Sequence, residues 1–270
     1  MFHRLLILLC VFACGNAGNA QAVQAQHARV ELISQQTSFA PGQETLLGIH
    51  FSLEKNWHIY WINPGDSGQP PVLHWQLPAG FHAGDIQWPR PEKLQKGHLA
   101  DYGYTDNVTL LVPVRAPGNS KGGASAEIGL EARWLICREV CIPDHAQLHL
   151  TLPAGAASAV DQNHSPLFAE TRKHLPKPWP RSWKALATSS KNDFMLSVQT
   201  GNAIQKAEFF PLEPNQIENA SPQTVKATAQ GAQITMAKSD QLLKPISSLK
   251  GVLVLADGSA YQVQARVTQR

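Results

Sequence analysis

The sequence predicts an all-β protein with two β domains. Its 270 residues include 19 Gly and 19 Pro, more than a helical protein tolerates, because Pro breaks a helix and Gly weakens it. Short apolar or β-branched runs alternate with turn residues along most of the chain, which is typical of antiparallel sheets. The length exceeds that of one typical domain. A formal net charge of +3 indicates neither nucleic acid nor an acidic surface as a partner.

The first predicted domain covers residues 27–153. Its predicted strands are Val30–Ile33, Glu44–Leu53, Val72–Gln76, Val108–Val114, Glu127–Ile136 and Ala146–Leu152. Turn residues separate these runs, at Pro41-Gly42, Asn63-Pro64-Gly65 and Pro117-Gly118, as in an antiparallel sandwich or barrel. Alternate residues from Thr45 to Leu53 share one apolar face, so we predict that this strand is half buried.

A linker and a second β domain follow. The linker, residues 154–182, is rich in Ala, Ser and Pro and contains one predicted helix, with Ser165 as its N-cap and Pro166 at its first position. The second domain, residues 183–270, has no cysteine and no cluster of catalytic residue types. Its predicted strands are Phe194–Val198, Lys206–Phe210, Gln223–Ala227, Gln233–Met236, Gly251–Leu255 and Tyr261–Val267, the last two joined by the hairpin turn Asp257-Gly258.

The amino terminus, residues 1–22, is predicted to be a signal peptide. A basic start, the apolar run Leu5–Ala13 and small residues up to Ala22 fit that pattern. The run is shorter than the roughly 20 residues that span a bilayer, so we expect a periplasmic protein without stable membrane insertion. Cys14 loosely resembles a lipid-attachment site, but Phe12 fits that pattern poorly and the lipoprotein is the less favoured alternative.

Cleavage of the leader would leave Cys137 and Cys141 with only each other. Thiols tend to pair in an oxidising compartment. On a straight strand, cysteines four residues apart lie roughly 13 Å apart, farther than a disulfide reaches. The chain must therefore turn within residues 138–140 if they pair. A disulfide that closes so small a ring stabilises the fold little and is easily strained, which favours thiol–disulfide exchange.

A structural disulfide is the plainer alternative, since that is the usual state of two cysteines in a secreted domain. Reactivity would be favoured by a nearby cation from Arg133, Arg138 or His145 and opposed by Glu139. The sequence alone leaves both uses of the pair open.

Metal binding is a third alternative. Cys137, Cys141 and His145 follow one another at intervals of four, and thiolates with an imidazole suit copper(I) or zinc. Pro143 interrupts any helix that would align the three, and no fourth ligand is identified among the candidates His58, His74 and His98. No metal or other cofactor is therefore assigned.

Residues 57–71 form a second region that is rich in candidate functional residues. In it, aromatic residues are followed directly by a tight polar turn. This pattern predicts a lip on the surface and not a core strand. In the plainer form of this interpretation, Trp57 and Trp61 pack inward while His58 and Tyr60 face solvent.

Four segments together resemble the amino-terminal periplasmic domain of the DsbD and ScsB family of disulfide reductases. They are Trp57–Gly68, Ile86–Pro89, Tyr102–Tyr104 and Trp134–Pro143. The likeness covers about Val30 to Leu152, and the linker and second β unit also look like the ScsB-type arrangement. The spacing of the cysteines, CxxxC, is closer to ScsB than to DsbD.

The resemblance implies an immunoglobulin-like β-sandwich followed by a second small β-sandwich domain. Cys137 and Cys141 would be the catalytic pair, with Cys141 attacking and Cys137 resolving, and no cofactor would be needed. They would receive electrons from a membrane-embedded thiol reductase of DsbD type and pass them to periplasmic thiol and disulfide proteins. Aromatic residues would cap the pair and bind partners, namely Trp57, Tyr60, Trp61, Tyr102 and Tyr104. Residues 57–70 should then lie beside the pair.

Full-length members of that family continue into a membrane electron carrier and a thioredoxin-like domain, and neither is found in this sequence. We therefore expect a stand-alone redox relay that docks on a separate membrane reductase. The alternative is a non-catalytic periplasmic binding or assembly module with a structural disulfide. ScsB relatives are linked with copper tolerance, which keeps copper or zinc binding open.

Overall fold

The computed structural model describes residues 21–119, 124–155 and 159–269. Almost all of the predicted signal peptide, Cys14 included, lies outside these residues. Within them, no helix is long and apolar enough to cross a membrane. The predicted limits of the leader, linker and domains stay predictions.

The strands of the first domain form an antiparallel sandwich. In chain order they are β1 (Val23–Ala25), β2 (Ala28–Ser34), β3 (Glu44–Leu53), β4 (His58–Gly65), β5 (Val72–Gln76), β6 (His82–Ala83), β7 (Glu92–Lys96), β8 (Leu99–Thr105), β9 (Asn107–Arg115), β10 (Ser125–Cys137) and β11 (Cys141–Pro153). One sheet has the order β1-β2-β3-β9-β6, and the other has the order β11-β10-β4-β8-β7 with β5 paired to β10.

The two sheets enclose one apolar core, because alternate residues of their strands point inward. Leu32 and Ile49 of the first sheet and Trp61, Leu130 and Trp134 of the second belong to it. The predicted immunoglobulin-like β-sandwich is therefore confirmed.

Strand β3 is more deeply buried than its sequence pattern predicts. Its alternate residues do face the core, but Gly48 and His50 on the opposite face are buried too. The helix α1 (Ser165–His174) lies across this outer face, where its Phe168 is fully buried. The prediction of a half-buried strand is wrong because a helix distant in the sequence covers it.

Helix α1 begins close to where the sequence predicts. Pro166 is in its first turn, but the N-cap residue is His164 and not Ser165. Phe168 packs against Ile33 and Leu111 on the outer face of the first sheet. The helix of the predicted linker is thus packed against the first domain, whereas Lys177, later in the linker, bonds to the backbone of Ala260 and Gln262 in the second domain.

The second domain forms one seven-stranded sheet with its own core. Its strands are β12 (Lys184–Ser189), β13 (Asp193–Gln199), β14 (Ala207–Pro211), β15 (Thr224–Thr228), β16 (Gly231–Ala237), β17 (Ser248–Leu255) and β18 (Ala260–Gln269). Their order is β14-β17-β18-β12-β13-β16-β15, in which β12 and β18 are parallel. All six predicted strands are found, and β12 is an additional one.

Candidate functional site

The two cysteines close the hairpin of β10 and β11. They are the last pair in its register, and the chain turns at residues 138–140, where the Arg138 amide donates to the Val140 carbonyl at 3.1 Å. The turn brings the α-carbons within 4.2 Å, and the sulfurs form a disulfide. Cys137 is only 2% exposed, whereas Cys141 is an exposed residue.

Tyr60 lies directly over this disulfide. Strand β4 runs beside β10, with His58 opposite Cys137, so the side chain of Tyr60 projects from the same outer face of the sheet. Its hydroxyl donates to Cys137 Sγ at 2.9 Å and lies 3.4 Å from Cys141 Sγ. Burial raises the pKa of Tyr60, so the hydroxyl keeps the proton that it donates.

The aromatic segment is a buried strand and not a surface lip. Ile59, Tyr60 and Trp61 are each at most 1% exposed, and His58 is 9% exposed. The expectation that His58 and Tyr60 face solvent is therefore wrong. Both do lie on the outer face of the sheet, but the chain that follows β4 folds back over Tyr60, and His58 packs beside Tyr60 and Asp101.

That covering loop, residues 65–68, lies flat on the ring of Tyr60. Gly68 has φ +75°, and a Cβ atom there would come within 2.1 Å of Tyr60 Cζ. Gly65 has φ +87°, and a Cβ atom there would come within 2.4 Å of the Ala100 carbonyl oxygen of β8. Only glycine allows both the left-handed backbone and the close approach, which explains the Gly-Asp-Ser-Gly sequence.

Two carboxylates hold the covering loop in place. Asp101 accepts hydrogen bonds of 2.9 Å from both the amide and the hydroxyl of Ser67. Asp66 accepts one of 2.7 Å from the Ala100 amide. Asp66 also accepts one of 2.7 Å from the side-chain amide of Asn219 in the second domain. Sequence reasoning did not find the roles of Asp101 and Asn219, because nothing local marks them.

His58 lies beside Tyr60 and Asp101, and burial lowers its pKa. The carboxylate of Asp101 partly opposes that shift, and the positive charge of Lys96 adds to it. Its Nε2 atom has no hydrogen-bond partner among the described residues, and Asp101 Oδ2 lies 4.0 Å away. His58 is therefore mainly neutral near pH 7.

Charged groups surround the cysteine turn unevenly. The guanidinium of Arg138 lies over the ring of Trp57, at 5.2 Å from its centroid, and its Nε donates to Glu139 at 2.5 Å. Lys96 Nζ donates to the Arg138 carbonyl. Arg133 and His145, by contrast, face each other four residues along the strands from the cysteines. Arg138 alone of the three predicted cations lies in the turn.

The other aromatic residues of the predicted cap lie in three different places. Trp57 stacks on His27 beside the turn, with ring centroids 3.8 Å apart. Trp61 and Tyr102 contact Phe210 of the second domain. Tyr104 is in the core, where its hydroxyl donates to the Pro89 carbonyl at 2.8 Å. Trp57 and Tyr60 are thus the two that lie beside the disulfide turn.

No group of three or more His, Cys, Asp and Glu side chains within residues 21–119, 124–155 and 159–269 could hold a metal ion. The candidate ligands His145, His58, His74 and His98 therefore do not form such a group with the cysteines.

The fold and site define an immunoglobulin-like sandwich with a half-buried disulfide at the end of one sheet. Residues 29–153 match the family model for the amino-terminal domain of the thiol:disulfide interchange protein DsbD. This match contains all four motifs and confirms the resemblance predicted from them.

Solved structures extend the likeness of the fold to both domains. The crystal structure of the N-terminal periplasmic domain of ScsB from Proteus mirabilis matches with a TM-score of 0.71 and 16% identity, over 95% of this chain and 100% of that one. A protein of unknown function from Porphyromonas gingivalis W83 matches at a TM-score of 0.27 and 9% identity, over 90% of this chain and 99% of that one. The periplasmic chaperone SfaE matches at 0.24 and 6%, over 88% and 100%. Neither of these two matches supports a conclusion about the fold, because both TM-scores are below 0.5. No curated protein sequence matches the chain significantly.

Proposed function

We propose that the protein exchanges thiols with disulfides in the periplasm through Cys137 and Cys141. It would relay electrons from a membrane-embedded thiol reductase of DsbD type to oxidised periplasmic proteins. The observation that carries this proposal is the difference in exposure within the pair, since Cys141 is exposed and Cys137 is 2% exposed. A structural bond in a binding module would favour burial of both sulfurs beneath packed side chains.

The difference in exposure between the two residues supports a separate role for each sulfur. In the reduced protein, the Cys141 thiolate attacks one sulfur of a client disulfide, and the other client sulfur leaves as a thiolate. The Cys137 thiolate then attacks Cys141 Sγ, which releases the second client thiol and forms the Cys137–Cys141 disulfide. Two electrons pass to the client, and one disulfide forms for each that breaks. The reductase restores the dithiol by the reverse sequence.

Tyr60 supports this exchange from its position over the sulfurs. When a reductant attacks Cys141, Cys137 leaves as a thiolate in a buried place where a bare charge would be costly. The Tyr60 hydroxyl, 2.9 Å from Cys137 Sγ, donates the hydrogen bond that stabilises this charge. Around the turn, Arg138 and the 63% exposed Val140 offer a surface to partners, and the 5% exposed Trp57 supports Arg138 from beneath.

Two cysteine variants test the proposal. Cys137→Ala leaves Cys141 free, and we expect a stable mixed disulfide with oxidised glutathione, measured by mass spectrometry. Cys141→Ala is the matched control and should react at least about tenfold more slowly, because its remaining thiol is buried. The reduction potential of the wild-type pair should lie above about −250 mV. A potential below about −300 mV, with no mixed disulfide in either variant, would indicate a structural bond.

A further inference from the structure

Within the residues that the structure describes, the second domain bonds to the covering loop through one side chain, Asn219 of the segment between β14 and β15. Its Nδ2 atom donates to Asp66 Oδ1 at 2.7 Å, and its Oδ1 atom accepts from the Tyr102 hydroxyl at 2.9 Å. Asn219 is 6% exposed and Tyr102 is 1% exposed. One buried amide therefore bonds both to the core of the first domain and to the loop over the disulfide.

The contact around Asn219 fixes its position. Phe210 is 2% exposed and lies edge-on to Tyr102, with ring centroids 5.1 Å apart, so that this residue of the second domain joins the core of the first. The side-chain amide of Asn63 donates to the Pro211 carbonyl at 2.8 Å. Apolar contact and buried hydrogen bonds together hold the two domains in register at this place.

A short series of contacts leads from Asn219 to the sulfurs. Asn219 bonds Asp66, and Asp66 is part of the loop whose Gly68 lies against the ring of Tyr60. The hydroxyl of that ring is 2.9 Å from Cys137 Sγ. The loop is otherwise anchored within the first domain, by Asp101 and the Ala100 amide. Asn219 is thus the direct side-chain link between the second domain and the loop among the described residues.

We propose that Asn219 is a positioning residue through which the second domain holds the covering loop closed over Tyr60, and so limits access to the buried sulfur of the disulfide, that of Cys137. A biological purpose for limiting this access rests on the proposed exchange function. The coupling of Asn219 to the covering loop does not depend on that function. Because Asp66 is partly exposed and the loop keeps its other bonds, loss of Asn219 should loosen the loop and leave the fold intact.

The variant Asn219→Asp tests the coupling without changing the size of the side chain. The new carboxylate still accepts the Tyr102 hydrogen bond, but it replaces the donor to Asp66 by a like charge. We expect the disulfide to be reduced by tris(2-carboxyethyl)phosphine about fivefold faster than in wild type, the effect of losing one hydrogen bond of typical net strength. Asn219→Ala should act in the same direction.

Lys93→Gln is the matched control. Lys93 Nζ donates to the Ser221 carbonyl, a bond between the domains that does not touch the covering loop. Its reduction rate should stay within about twofold of wild type. If Lys93→Gln accelerates reduction as much as Asn219→Asp does, general loosening of the domain contact is responsible and the specific role of Asn219 is refuted.

Hydrogen exchange gives a readout that a purely structural role would not move. The amides of Ala100 and Ser67, which bond Asp66 and Asp101, should lose protection in Asn219→Asp, while the amides of β10 and β11 keep theirs. A wild-type reduction rate with unchanged Ala100 protection would overturn the proposal. If Cys137→Ala traps no mixed disulfide but Asn219→Asp still accelerates reduction, the coupling stands and the exchange function fails.

Discussion

Both sheets of the first domain have a covered outer face, but the two covers differ in chemistry. Helix α1 covers the first sheet with Phe168, which is fully buried against Ile33 and Leu111. The loop of residues 65–68 covers the second sheet with two glycines and two polar residues held by hydrogen bonds. Water can replace those hydrogen bonds at a net cost of about 1 kcal/mol each, but it cannot replace buried apolar contact. Only the loop can therefore open while the protein stays folded.

The largest expected effect comes from damage to the apolar cover. Phe168→Ala would leave a cavity between helix and sheet, and we expect it to lower the free energy of unfolding by about 3–5 kcal/mol. Urea unfolding followed by fluorescence measures this change. Glu170→Ala on the exposed side of α1 is the control, and its loss should be much smaller, because its contacts with Lys173 and His174 are exposed to solvent. Equal losses in the two variants would show that burial of Phe168 does not stabilise the fold.

The next effect comes from damage to the polar cover. In Gly68→Ala the new Cβ would clash with the Tyr60 ring, so the loop must lift, and we expect faster reduction of the disulfide and a loss of about 1–3 kcal/mol in stability. Gly201→Ala is the control, since Gly201 also has a positive φ but nothing within 4 Å. It should lose stability without faster reduction. A wild-type reduction rate in Gly68→Ala would mean that the loop does not limit access.

The sequence predicts the local parts of this arrangement well. The bounds of β3 and β5 agree residue for residue with the prediction, because alternation and turn residues lie within a few positions of each other. The turn at residues 138–140 follows from the reach of a disulfide alone. These features need no information from distant parts of the chain.

What the sequence does not predict depends on contacts between distant residues. Strand β4 resembles a wet surface segment, and it is buried because the covering loop and Phe210 of the second domain pack on it. The hairpin of β7 and β8 has little apolar alternation and is held by its neighbours. Asn219 and Asp66 are ordinary polar residues until the fold joins them across 153 positions.

A buried histidine lies on the outer face of each sheet of the first domain. His50 of β3 is bonded to both Thr109, at 2.9 Å, and Ser52, at 3.2 Å. His58 of β4 has no such bond to its Nε2 atom among the described residues. Burial is the largest cause that lowers the pKa of each. Each face therefore has its own buried histidine, and the side chain of His50 is held by more hydrogen bonds than the Nε2 atom of His58.

The smallest expected effect is a pH dependence that these histidines produce. Both are neutral in the folded protein and become protonated more readily when it unfolds, where their pKa is about 6.5. The unfolded state then binds more protons, so stability is complete above pH 6.5 and falls as the pH drops from 6.5 through the lowered folded values. His50→Gln and His58→Gln should each reduce this slope in urea unfolding between pH 7.5 and 5. His58→Gln alone should also flatten the pH dependence of disulfide reduction, because a charged His58 would compete with Ser67 for Asp101. Equal effects of the two variants on reduction would contradict a difference between the faces.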